Sequence, residues 1–166
     1  YGFNKSLSEK YCRSFIKSDN LLIIRGSNIF GDEYGRKSFT GMALNRLVSK
    51  SEILLDISKK TIRDFIPVNF FSECLMQLIL KKCSGVYNIG SGVGTSLEDF
   101  CNALIKGYGA GSIATLSGVV IKDQFILDNQ KLLSVVSCNI DKSYILQYAI
   151  NIGKKLKMEE EKRKNV

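Results

Sequence analysis

The sequence predicts an α/β protein built on parallel strands, and three observations carry that prediction. Leu21-Leu22-Ile23-Ile24 has no polar position and follows the turn-forming Ser18-Asp19-Asn20, as expected of a strand covered on both faces. Val86-Tyr87-Asn88-Ile89 is a second strand, followed by Gly90-Ser91-Gly92-Val93-Gly94 and then a helical pattern. Amphipathic segments of helical period alternate with these runs along the chain.

The first segment reads as a helix through about Phe15. Phe3, Leu7, Tyr11 and Phe15 recur every fourth residue, a stripe expected to pack into the body of the protein. Tyr1 and Lys5 are also four apart, on a different face. An ammonium beside a phenol stabilises the phenolate, which makes Tyr1 a candidate general acid/base with Lys5 as its partner. So short a pattern also arises as an ordinary surface Tyr and Lys.

The strand at 21–24 feeds Arg25-Gly26-Ser27-Asn28-Ile29-Phe30-Gly31 and a polar loop, 32–37. In open α/β sheets, ligands gather outside the carboxyl ends of strands, so this loop lies where a site is expected. A helix is predicted over 38–50, a strand at Ile53-Leu54-Leu55, and another over 61–68 with Arg63-Asp64 at its middle. Pro67, the sole proline, lacks a ladder donor and marks a strand end or edge. The helix predicted over 69–82 carries Phe71, Leu75 and Leu78 inward and ends on Lys81-Lys82, at the negative end of its dipole.

The glycines at 90, 92 and 94 are spaced Gly-x-Gly-x-Gly, and no acidic residue follows a second strand at the distance a dinucleotide site requires. A turn leading into a helix is the expected role, with Thr95 or Ser96 as cap and Leu97, Phe100, Cys101, Leu104 and Ile105 inward. Residues 107–118 read as loop with a short strand, Val119-Val120-Ile121 and Phe125-Ile126-Leu127 as strands, and Asp128-Asn129-Gln130-Lys131 as the start of a short helix. A last helix, about 142–162, presents Ile145, Tyr148, Ile152 and Leu156 on one face, suited to packing on the domain. There is no internal repeat.

Composition bounds the function. With 166 residues, 45% apolar and 24% charged, the chain suits one soluble globular domain. No apolar run reaches the ~18 residues that span a bilayer, and no signal-peptide pattern opens the chain. Five scattered cysteines without Cys-x-x-Cys, and no histidine, predict buried thiols in a reducing cytosol and no metal site. The net charge of +8 is concentrated near the end, where Glu159-Glu160-Glu161 interrupts the lysines. No aromatic-interleaved basic signature accompanies it, so neither nucleic acid nor membrane is an expected partner. A basic membrane-surface or nucleic-acid protein is the reading that rests on charge alone.

Taken in order, Tyr1-Gly2-Phe3-Asn4-Lys5 with Glu9, Arg25 to Gly31, Arg63-Asp64-Phe65-Ile66-Pro67-Val68, Val86 to Gly92 and, more weakly, Asp128 to Leu132 resemble the extended short-chain dehydrogenase/reductase family. This is the branch of NAD-dependent sugar-nucleotide epimerases, dehydratases and reductases. The resemblance implies the carboxyl-terminal part of a Rossmann-like parallel sheet plus a smaller α/β substrate-binding region. It implies a single partial domain: residues 1–35 end the core with the catalytic helix and strand, and 36–166 are mainly substrate-binding, with some elements returning to the core.

The resemblance also implies roles. Tyr1 would be the acid/base during hydride transfer, and Lys5 would hold the nicotinamide ribose of NAD or NADP. Asn28 and Arg63 would contact a nucleotide-sugar, Arg63 through its diphosphate, a task suited to a planar, permanently charged fork. Left to the residues alone, Arg63 reads as a surface arginine paired with Asp64. A possible homodimer and a cytoplasmic location follow from the same resemblance. The family's Gly-x-x-Gly-x-x-Gly half is not present in these residues, Asn69 replaces an acidic residue, and Asn4 stands where Ser or Thr is frequent. These departures predict a chain that is inactive alone, a fragment or a broken gene's product. The competing expectation is a non-catalytic module that binds nucleotide-sugars or a partner subunit.

Overall fold

Strand β4 (Ile62–Pro67) joins the largest sheet among the described residues. The computed structural model describes residues 2–117 and 124–164. Along its length β4 pairs in parallel with β2 (Asn28–Phe30), antiparallel with β6 (Gly94–Ser96) and in parallel with β8 (Gln124–Phe125). Two further parallel pairs flank this sheet. β1 (Leu22–Gly26) pairs with β5 (Gly85–Ile89), and β3 (Glu52–Leu55) with β7 (Ser112–Thr115). The α/β class with parallel strands is therefore the observed one.

The helices fall close to their predicted spans. α1 covers Gly2–Phe15, α2 Phe39–Lys50, α3 Val68–Leu80, α4 Leu97–Tyr108, α5 Gln130–Leu133 and α6 Lys142–Lys164. Ser38 caps α2 by accepting from Gly41 N, and Ser96, one of the two predicted caps, accepts from Asp99 N at the start of α4. The strand expected at Val119-Val120-Ile121 lies outside the described residues. β6 was not anticipated: Gly94-Thr95-Ser96, read as turn and cap, first makes a short ladder with β4.

The core is aromatic at its centre. Phe65 stacks on Phe100 with centroids 3.9 Å apart and planes 6° from parallel, while Phe30 meets Phe65, Phe100 and Tyr148 edge-on. α4 and α6 close over this cluster at backbone contact. A Cβ on Gly107 would lie 2.0 Å from Ile150 O, and one on Gly153 would lie 2.3 Å from Leu104 O, so both positions need glycine. Ile145, Ile152 and Leu156 of α6 are buried and Tyr148 half-buried, as the stripe predicted.

Two expectations need correction. The apolar stripe of α1 does not pack into the body: Phe3 is 79%, Leu7 52%, Tyr11 67% and Phe15 73% exposed, and no residue of α1 is buried. Period identifies an apolar face but not what covers it. Likewise Leu22, Ile23 and Ile24 are half-buried rather than covered on both faces. β1 pairs in parallel with β5, and among the described residues its other edge carries no strand.

Candidate functional site

α1 is held beside β1 by a forked ion pair. Arg25 Nε donates to Glu9 Oε1 at 2.8 Å and Nη2 to Glu9 Oε2 at 2.6 Å. The guanidinium holds the Glu9 carboxyl below its usual range, chiefly by that hydrogen bond. Between α1 and β1 opens a cleft of about 540 Å³, lined among others by Lys5, Glu9, Cys12, Arg25 and Ser27. Tyr1, the other member of the predicted pair, lies outside the described residues.

Ser27 and Ile29 also line a second cavity of about 320 Å³ with Asn28, Glu33, Phe39 and Phe65. Lys5 and Asn28 are thus in neighbouring spaces that share two wall residues. Asn28 Nδ2 donates to Asp64 O at 2.9 Å, which fixes the amide against β4.

Arg63 lines neither space. Successive β4 side chains point to opposite faces, so Arg63 shares a face with Phe65, which does line the second cavity. One of its guanidinium nitrogens, Nη1, donates to Ile62 O at 3.0 Å.

Asp64 turns the other way and was missed by sequence reasoning. It is completely buried, and its carboxylate gathers three segments. Oδ1 accepts from Ser91 N at 2.9 Å and Ser91 Oγ at 2.6 Å; Oδ2 accepts from Gly92 N and Leu127 N, both at 3.2 Å. The reading of Arg63 and Asp64 as a surface pair fails on geometry, because neighbours on a strand diverge. Nothing in the sequence signals it, because Ile62-Arg63-Asp64-Phe65-Ile66-Pro67 does not alternate polar with apolar and four of its six residues in a row are buried.

This carboxylate also explains the glycine turn. The amides of Ser91 and Gly92 are spent on Asp64, so they do not form a phosphate cradle, and the chain beyond them enters β6 rather than a helix. Lys5 and Ser8 both line the α1–β1 cleft; the Ser8 hydroxyl donates to Asn4 O at 2.9 Å, and the Lys5 ammonium is a donor of the kind a ribose hydroxyl accepts from. No cluster of three or more metal-capable side chains occurs among the described residues.

No protein-family model matches the chain. Solved structures do match it. A UDP-N-acetylglucosamine 4-epimerase from Methanobrevibacter ruminantium, in complex with UDP-N-acetylmuramic acid, aligns at a TM-score of 0.76 and 16% identity over 95% of this chain and 54% of its own. A UDP-glucose 4-epimerase from Thermotoga maritima, with UDP-glucose, gives 0.70 and 22% over 96% and 54%. A dTDP-glucose 4,6-dehydratase from Bacillus anthracis, in complex with NAD, gives 0.71 and 14% over 94% and 50%. The fold is the Rossmann-like α/β fold. It is the fold that these two epimerases and the dehydratase share, and the likeness is one of fold. The chain spans about half the length of the structures it matches. No helix among the described residues is long and apolar enough to cross a membrane.

Proposed function

We propose that this chain supplies the Tyr/Lys helix and the substrate-binding region of an NAD(P)-dependent nucleotide-sugar epimerase, reductase or dehydratase. The observation that carries the reading is the adjacency of the Lys5 cleft and the Asn28 cavity through Ser27 and Ile29. A sugar ring at that junction is within reach of both the acid/base helix and the β2–β4 face. In this reading Tyr1 moves the proton on the sugar oxygen, and Lys5 holds the nicotinamide ribose and lowers the tyrosine pKa. Asn28 and Arg63 hold the nucleotide-sugar, Arg63 by its diphosphate. The nicotinamide, when bound, accepts or returns the hydride. The pyrophosphate is held by residues other than the Gly90–Gly94 turn.

The test is Tyr1→Phe in the whole protein, assayed with UDP-sugars and NAD(P). Turnover is expected to vanish while UDP-sugar binding persists. Undiminished turnover overturns the assignment of Tyr1, and failure of the unaltered protein to bind any UDP-sugar overturns the reading.

A further inference from the structure

Two polar atoms in the wall of the Asn28 cavity are unaccounted for by the roles above. Ser27 Oγ and Glu33 Oε2 are each buried with no hydrogen-bond partner among the described residues. Both residues line the same space, with Asn28, Phe39, Thr40 and Phe65. Buried polar atoms are nearly always satisfied, and an orphaned one is costly, so a pair in one cavity marks a place where a ligand completes the bonding.

The chemistry of the pair restricts that ligand. A carboxylate oxygen only accepts, and a hydroxyl either accepts or donates. A ligand group placed there must bring hydrogens, as sugar hydroxyls or an amine do, and a ligand carboxylate is repelled at short range. The diphosphate does not belong beside Glu33; the cation suited to it, Arg63, lies further along the β4 face beyond Phe65. Phe39 and Phe65 offer apolar surface to the carbon face of a ring. Ser27 faces both this cavity and the Lys5 cleft, where the reacting carbon would lie.

We infer that Ser27 and Glu33 are specificity-determining residues that receive the hydroxyl-bearing sugar ring of a neutral nucleotide-sugar and reject acidic sugars. The inference rests on the nucleotide-sugar reading and deepens it. Selectivity of this kind is a difference of affinities, attractive for one ring and repulsive for the other.

Calorimetric titration of the whole protein with UDP, UDP-glucose and UDP-glucuronate tests it. The unaltered protein should prefer UDP-glucose to UDP-glucuronate. Glu33→Gln should leave UDP affinity unchanged, weaken UDP-glucose and tighten UDP-glucuronate, shrinking the preference at least about tenfold. Glu33→Asp, which keeps the charge, should retain the discrimination. Ser27→Ala should weaken UDP-glucose several-fold, about the cost of one buried hydrogen bond, without touching UDP.

Parallel weakening of all three ligands, or an unchanged ratio in Glu33→Gln, overturns the inference and leaves the nucleotide-sugar reading standing. Absence of UDP binding by the unaltered protein overturns both.

Discussion

The body of the molecule and its first helix are built to opposite standards. In the body, Phe30, Phe65 and Phe100 are at most 1% exposed, and α4 meets α6 so closely that two glycines are required. No residue of α1 is buried, four of its large apolar residues are in the open, and the Arg25–Glu9 ion pair ties it to β1 at the surface. The body is closely packed, whereas the apolar face of α1 is uncovered among the described residues. The candidate residues divide between the two: Asn28 and Arg63 stand on strands of the packed body, and Lys5 stands on exposed α1.

The contrast can be tested by substitution. The largest effect belongs to Phe100→Ala, which empties the stacked cluster and should cost about 3–5 kcal/mol in urea unfolding. A loss below about 1 kcal/mol would mean the cluster is not the core. Asp64→Ala should cost about 3 kcal/mol, because three backbone amides lose their acceptor at once. Its amide-exchange signature should centre on Ser91, Gly92 and Leu127, and uniform loss of protection would argue against a local hub.

At the α1 end the effects should shrink. Glu9→Gln should cost no more than about 1 kcal/mol, the range of exposed pairs. Because Arg25 lowers the Glu9 pKa in the folded chain, the pair contributes fully above the unfolded carboxylate value and is lost as pH falls through the lowered one. The protection of α1 amides, relative to their intrinsic exchange rates at each pH, should fall over that acidic window and hold above it; a loss of protection near neutrality would point to another tether. Phe3→Ser should alter the stability of this chain by less than about 0.5 kcal/mol, and a larger loss would show that its ring is packed after all.

Much of the fold was legible in the sequence because strand and helix announce themselves through local period. The α6 stripe of Ile145, Ile152 and Leu156 and the Ser96 cap needed no tertiary knowledge. The α1 stripe misled because an identical pattern arises whether its cover lies within these residues or beyond them. In the candidate site, Lys5 and Asn28 could be picked by motif, but Ser27 and Glu33 could not. Their distinction is an unmet hydrogen bond, a property of the assembled cavity and not of any spacing. β6 escaped because three residues, one of them glycine, carry too little pattern to name a strand.

The two-sidedness of β4 has a consequence for how such a chain can vary. Arg63 is half-buried, while Asp64, Phe65 and Ile66 are buried, with the Asp64 carboxylate turned to the opposite side of the strand from Arg63. Replacement of Arg63 alone leaves the buried contacts of Asp64, Phe65 and Ile66 in place. Length cannot drift in the same way. One residue added or deleted ahead of Arg63 would carry the guanidinium inward and leave the Asp64 carboxylate outside, spoiling recognition and architecture in a single event. Substitution is open at Arg63, and insertion ahead of it is closed.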